Sequence, residues 1–382
     1  MSKQNLFAQK AIALHKKLKG KISVVSKVAV KTPLDLSLYY TPGVGAVSSY
    51  LAGHKSEVRD FTIKRNTVAV VSDGSAVLGL GNIGPEGAMP VMEGKCQLFK
   101  AFANVDAFPI ILDTQNTDEI VATVKHIAPI FGGINLEDIS APRCFDIERR
   151  LINELDIPVM HDDQHGTAVV VLAAMINALK VVKKTLAQSK IVIVGAGAAG
   201  MATAKLLLLA GADDVILVDS EAIICRRRVY TNQFKSEIAK VTNKQNISGS
   251  LEEAVKGADV LMGLSKAGLF KPEHIKSMAT NPVVFAMANP VPEIMPGEAL
   301  KAGAAVVATG RSDFPNQINN VLGFPGIFRG ALDNNVKKIT PEMKLRVAKS
   351  LAALVKKPTA SHIMPSPFDK RVVKAVAKAI KG

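Results

Sequence analysis

The chain has 382 residues, 48% of them hydrophobic, a mean hydropathy of +0.21 and a formal net charge of +15. That length leaves room for two domains with full cores, and the composition excludes a disordered or fibrous chain. The 48 Lys and Arg are scattered, and dense runs such as residues 226–228 lack interleaved aromatics, so neither a specific nucleic-acid partner nor a membrane is expected. Cys96, Cys144 and Cys225 are far apart and odd in number, which implies no disulfide framework and points to the cytoplasm.

Residues 1–21 mix Lys with apolar positions Leu6, Ile12, Leu14 and Leu18, a pattern that predicts an amphipathic docking helix and not a signal peptide. No run is expected to be long enough to span a membrane. A Thr-Pro-Gly turn at residues 41–43 follows Tyr39 and Tyr40, and residues 66–71 read as a buried strand. Residues 79–84 then match the spacing of a dinucleotide fingerprint. Pro85 follows at once and no acid-ended strand comes some 20 residues later, so they are read as a tight loop shaping a pocket. A helix is predicted from Met89, carrying Lys95 as either a surface charge or a desolvated functional amine. Residues 108–113 read as a strand and 117–129 as its helix.

Two apolar runs then end in acidic pairs, Glu137-Asp138 and Asp162-Asp163. Such pairs are either solvated loop acids or, if the strands are neighbours, an oxygen-rich site for a hard divalent ion such as Mg²⁺ or Mn²⁺. Residues 168–182 read as a buried helix bridging two domains. The strand at 191–194, the turn Gly195-Ala196-Gly197-Ala198-Ala199-Gly200, a helix over 201–210 and a strand ending at Asp219 together form a complete dinucleotide-binding pattern. Asp219 would meet the adenine ribose and favours NAD, although Arg226, Arg227 and Arg228 lie within reach of an NADP phosphate. Further strands over 258–263, 283–288 and 305–310 continue the sheet. Asn289 follows the second of these, placed either to initiate a turn at Pro290 or to touch ligand. An amide-rich loop over 311–320 and two Lys/Ala-rich helices, 341–357 and 369–381, close the chain. The fold class expected is α/β: an N-terminal α/β substrate and metal domain (1–165), a doubly wound parallel-sheet Rossmann domain (166–320) and a C-terminal helical segment packing back on the core (321–382).

Several of these stretches together resemble the malic enzymes of short, prokaryotic type: residues 40–44, 79–85, 90–95, 132–139, 161–167, 288–290 and 316–330. The resemblance runs over roughly residues 30–350. It implies metal-dependent oxidative decarboxylation of (S)-malate to pyruvate and CO₂ with reduction of NAD or NADP, together with oxaloacetate decarboxylation. By the same resemblance Glu137, Asp138 and Asp163 hold Mg²⁺ or Mn²⁺. Lys95 is the base with Asp162 as its partner, Tyr40 protonates the enol carbon, and Asn289, Asn319 and Asn320 contact substrate. The helical N-terminus and C-terminus suit a homodimer or dimer-based oligomer, and the acyltransferase-like domain of some longer relatives is not expected after the family core. Larger malic enzymes carry an arginine before the first glycine loop, where this chain has Ala76-Val77-Leu78; Arg143 is the substitute considered for the substrate carboxylate.

Overall fold

The structure, a computed structural model, describes residues 3–77 and 79–381, with side chains from residue 7 onward; Leu78 and the side chain of Leu6 lie outside the described residues. Two parallel sheets organise it. The first has the order β2-β1-β3-β4, from β1 (Thr67–Ser72), β2 (Asp106–Ile111), β3 (Gly133–Leu136) and β4 (Val159–His161). The second runs β6-β5-β7-β8-β9, from β5 (Ile191–Val194), β6 (Val215–Val218), β7 (Val260–Gly263), β8 (Val283–Ala286) and β9 (Val306–Thr309). All nine pair in parallel, as expected of β-branched runs joined by helical crossovers. Each order reverses once, beside β1 and beside β5. Loops part to either side at such a point, leaving a crevice at the carboxyl ends of the strands.

The central element between the sheets is the helix Asp162–Val181, whose apolar residues from Ala168 to Leu179 are almost all buried. It packs against the helices Ala198–Leu209 and Pro341–Ala353. By length and composition this helix is apolar enough to cross a membrane, contrary to the reading that no run is, but 72% of its apolar window is covered by protein. It also begins six residues earlier than the apolar run suggests. Its first turn is polar because Asp162 and Asp163 stand where free backbone N–H groups favour negative charge.

The helix carrying Lys95 likewise starts earlier than predicted, at Gly84 instead of Met89. Pro85 lies in its first turn, where a missing N–H costs nothing. The glycine loop 79–84 thus does open a helix, though it stands in the first sheet's domain. The N-terminal helix Lys3–Leu18 exists, yet Ile12, Leu14 and Leu18 are exposed, so within one chain it does not dock through them.

Candidate active site

The carboxyl ends of β3 and β4 lie side by side, because Leu136 pairs with His161. Glu137-Asp138 and Asp162-Asp163 therefore leave adjacent strands in the same direction. Asp138 adopts a left-handed conformation (φ 53°), which turns its backbone N–H onto Asp163 Oδ2 at 2.8 Å. One oxygen from each of Glu137, Asp138 and Asp163 lies within 4.8 Å of the others.

Lys95 reaches into the same place. Its Nζ donates to Glu137 Oε1 at 2.8 Å and to Asp162 Oδ2, and it sits 4.0 Å from the centroid of the Phe324 ring. Of the two readings of Lys95, the surface charge is excluded: the residue is buried. Burial alone pushes the amine down, but the carboxylates of Asp162, Glu137 and Asp163 outweigh it and hold Lys95 above the ordinary lysine range. The acids pay the complementary penalty. Burial, opposed by Lys95, raises Glu137 and Asp162 to about 7 and Asp163 to about 6, with the repulsion of neighbouring acids adding to each.

Such a set of crowded, hard oxygen donors is chemically suited to a divalent cation, which would take the place of the protons these groups otherwise retain. Asn135 Nδ2 holds the second oxygen of Glu137 at 2.8 Å, and Asn320 Nδ2 donates to Asp162 Oδ2 at 2.5 Å. Gly166 explains itself here: a Cβ at that position would come within 1.8 Å of Asp162 Oδ1, so any side chain would displace the partner of Lys95.

Around this cluster opens a cleft of about 840 Å³. Its lining includes Lys95, Glu137, Asp138, Asp163, Asn319 and Asn320, together with Ala198, Ala199 and Leu264 of the second sheet's domain. Asn319 also lines an adjoining hollow that contains Gly79, Asn289 and Arg311. Asn289 thus stands next to the main cleft rather than in its wall. The loop at Gly79 closes on it so tightly that a Cβ there would lie 2.0 Å from Asn289 O.

The dinucleotide turn meets its expected geometry. Gly195 has φ +116° and a Cβ there would strike Leu264 O at 2.4 Å, while a Cβ at Gly200 would strike Gly195 O at 1.7 Å. At Gly197 nothing lies within 4 Å of the missing Cβ, so a pyrophosphate has open approach to the backbone and to the N-terminus of the helix Ala198–Leu209. Asp219 follows β6 but is not bare. Arg228 grips both its oxygens at 3.1 Å and Lys235 binds Oδ2 at 2.7 Å. Burial raises the Asp219 carboxyl, but these cations hold it well below the usual range. Arg226 is spent on the carbonyls of Asn243 and Lys244.

Residues 19–152 match the family described as malic enzyme, N-terminal domain, and residues 164–380 match malic enzyme, NAD binding domain. The chain belongs to the malic enzyme family. Among relatives, the NAD-dependent malic enzyme of Geobacillus stearothermophilus is 58% identical over 94% of this chain and 76% of its own. The bifunctional malic/malolactic enzyme of Bacillus subtilis is 54% identical over 97% of this chain and 92% of its own. Among solved structures, that of the NAD-dependent malic enzyme from Thermotoga maritima superposes with a TM-score of 0.95 at 50% identity, covering 97% of this chain and 99% of the other. This malic enzyme chain is therefore an oxidoreductase of α/β architecture with an NAD-binding domain.

Two expectations about individual residues meet a different arrangement. Arg143 does not line the cleft. Asp73 at 2.8 Å, the hydroxyls of Ser75 and Ser140 and the carbonyl of Gln115 hold its guanidinium, so its role is to brace the loops behind the acids. Lys21 and His15 line the cleft instead, although Lys21 Nζ also donates to Pro90 O at 2.5 Å. Tyr40 stands apart from the Lys95 cluster, 65% exposed, at the end of the helix Pro33–Tyr39.

Glu148 is a candidate site residue the sequence reading passed over. It accepts from the backbone N–H of His161 at 2.8 Å, from Gln164 at 3.1 Å and from His165 at 3.0 Å, and so anchors the turn presenting Asp162 and Asp163. Burial works against its charge, but His165, Lys344 and His161 pull its carboxyl down to about 2. Its signal was available: Glu148 lies on the stripe Cys144, Ile147, Leu151, where an acid on an apolar helix face needs a partner.

Proposed function

We propose that this chain catalyses the divalent-cation-dependent oxidative decarboxylation of (S)-malate to pyruvate and CO₂, with NAD as the favoured oxidant, and that it also decarboxylates oxaloacetate. The observation that carries this reading is one cleft holding a buried Lys95–Asp162 pair, three converging carboxylates and the start of the dinucleotide helix. Glu137, Asp138 and Asp163 would hold Mg²⁺ or Mn²⁺, and residues 195–200 with Asp219 would hold the dinucleotide. When bound, the cation would polarise the C2 oxygen of malate and the nicotinamide would accept the hydride from C2.

Lys95 takes the proton of the C2 hydroxyl. To do so it must first be neutral; a divalent cation held by the neighbouring acids would favour the neutral amine, against the pull of Asp162 and Glu137 that holds the ammonium charged. Asn320 keeps Asp162 in place, and Asn319 and Asn289 orient substrate from the adjoining wall. Once the C3–C4 bond breaks and CO₂ leaves, C3 needs a proton, the role assigned to Tyr40.

Tyr40 does this for a second copy of the chain. The helices Pro33–Tyr39 and Gly43–Gly53 bury none of their residues within one chain. Val24, Val25, Leu34, Leu36, Leu38 and Tyr39 are exposed around them, a larger apolar surface than a monomer ordinarily leaves uncovered. A homodimer covers this face and brings the phenol to the partner's cleft. The domain division at residues 165 and 320 belongs to the same reading, and the three buried free cysteines suit a cytoplasmic setting.

The direct test follows reduced nicotinamide with L-malate and either NAD or NADP, before and after chelation and with Mn²⁺ restored. Pyruvate should appear, lactate being assayed because of the Bacillus subtilis relative's name. The signal should vanish with the cation and return with it; malate oxidation that survives chelation overturns the cation's role.

The raised acids add a pH signature. Glu137, Asp162 and Asp163 bind protons more tightly folded than unfolded, so their contribution to stability is full below about pH 4 and is lost as pH climbs through about 7. A cation displaces those protons. Mn²⁺ affinity should therefore rise from pH 5 to 8, by up to about tenfold per unit for each proton displaced, and the Tm gain with it. A gain independent of pH contradicts the carboxylate site.

Cofactor choice turns on Asp219. Asp219→Ser removes the repulsion toward a 2′-phosphate and frees Arg228 and Lys235 to bind it. The NADP/NAD ratio of kcat/KM should rise about 10–100-fold, the size of one or two charge-assisted hydrogen bonds. An unchanged ratio would place cofactor discrimination elsewhere.

A further inference from the structure

A second cavity, of about 320 Å³, lies further along the helix Ala198–Leu209 from the dinucleotide turn. Its walls come from both domains: Phe145, Glu148 and Arg149 on the helix Arg143–Glu154, Gln164 and His165 at the start of the central helix, and Met201, Ala202 and Leu206 on the dinucleotide helix. Phe234 closes one side, with its ring 4.7 Å from that of Phe145. The apolar wall is joined by Lys344, which is only 8% exposed.

No hydrogen bond or ion pair to the Lys344 amine exists among the described residues, an expensive condition for a buried ammonium. Burial lowers its pKa to about 8, with Glu148 pulling the other way. Glu148 cannot serve as its hydrogen-bond partner without giving something up, since both of its oxygens are engaged by His161, Gln164 and His165. Lys205 and Arg149 add positive charge to the lining, so that with Lys344 three fixed cations face the two acids Glu148 and Glu237, and Arg149 is partly spent on Asp146 at 2.5 Å. A cation at the floor, cations at the mouth and aromatic and aliphatic walls are complementary to an anion that carries its own apolar body.

We propose that this cavity is a binding site for a small organic carboxylate with a short apolar chain or ring, its head group paired with Lys344 and its body against Phe145, Met201, Leu206 and Phe234. Occupancy acts on the active site through Glu148. An anion on Lys344 draws away one of the positive charges acting on Glu148, the group that holds the His161 N–H immediately before Asp162 and Asp163. Because both domains wall the cavity, a ligand there also favours one relative position of the domains over others. This effect on turnover rests on the malate reading above; binding does not.

The test is calorimetric titration of the full chain with hexanoate, with acetate and hexanol as controls lacking the body or the charge. Hexanoate should bind at one saturable site per chain, more tightly than either control, and should still bind in the presence of saturating malate and in Asn320→Ala. Lys344→Met should weaken it at least about tenfold, the loss of one charged hydrogen bond, and the exposed rim change Lys205→Glu several-fold. A thermal melt checks that Lys344→Met folds, and the Lys205→Glu result stands without it. Binding no tighter than the controls, binding displaced by malate, or binding indifferent to both lysine changes overturns the proposal. Hexanoate binding in a chain that fails to oxidise malate would uphold this site while sinking the activity assigned above. With the activity intact, a shift in the KM for malate on adding hexanoate is the expected coupling, and its absence overturns that part.

Discussion

Lys95→Ala is expected to lower kcat for malate oxidation by about 10²–10⁴, the range that a positioned general base contributes. The structural reason is that, among the described residues, Lys95 is the one amine contacting both Asp162 and Glu137 inside the acid cluster. A collapse of the fold would give the same loss, so a second readout is needed. Removing a buried positive charge from beside Glu137 leaves the carboxylates a better cation site, and Mn²⁺ affinity should therefore hold or increase. The space left by the side chain should admit a small primary amine, and ethylamine at alkaline pH should restore part of the rate. If turnover falls less than about tenfold, the size of a mere packing defect on the same scale, Lys95 is not the base. If Mn²⁺ binding is lost along with activity, its role is to hold the site together.

Tyr40→Phe is expected to lower kcat to a similar degree, even though the residue is exposed and lies away from the cleft of its own chain. The decisive measurement is complementation. Tyr40→Phe and Lys95→Ala chains, each nearly inactive alone, should on dissociation and random reassociation give heterodimers with one site that has both residues intact. In a two-fold dimer with half of its molecules mixed, activity should recover to about a quarter of the unmodified level. No recovery, with mixed dimers shown to have formed, would mean that Tyr40 serves its own chain after a rearrangement or serves no site at all. A monomer at working concentration would remove the basis for the prediction.

The second sheet was legible because its strands are buried on both faces. Val192, Ile193, Leu261, Val284 and Phe285 read as continuous apolar runs bounded by glycine or asparagine, and β5 was found with its observed limits. The turn at 195–200 was equally open to reading, since Gly195 and Gly200 answer local steric demands and Gly197 leaves the backbone open to approach. Helix starts were less so. The first turns at Gly84 and Asp162 have no side-chain cap; Pro85 and contacts with Glu148 hold them, and neither repeats with a helical period. The N-terminal helix was legible as a helix but not as an exposed one, because periodicity reveals an apolar stripe and not what covers it.

The candidate site divides along the same line. Sequence by itself determined which residues stand at the ends of the strands: acids after β3 and β4, glycines after β5, Asp219 after β6. These are local facts, set by alternation, turn chemistry and the resemblance those motifs carry. Only the tertiary structure decided what each of them meets. The pairing of β3 with β4 brought the acids within reach of one cation, and the helix from Gly84 put Lys95 among them. Asp73 drew Arg143 away from the role considered for it, while Lys21, far off in the chain, came to the cleft. Arg228 and Lys235 neutralised the acid expected to meet the ribose, and the Lys344 amine was left in a cavity with no hydrogen-bonding partner among the described residues. Charge, burial and pKa depend on neighbours a few ångströms away in space, and those neighbours are set by how the helices pack against the two sheets, not by any short stretch of the chain.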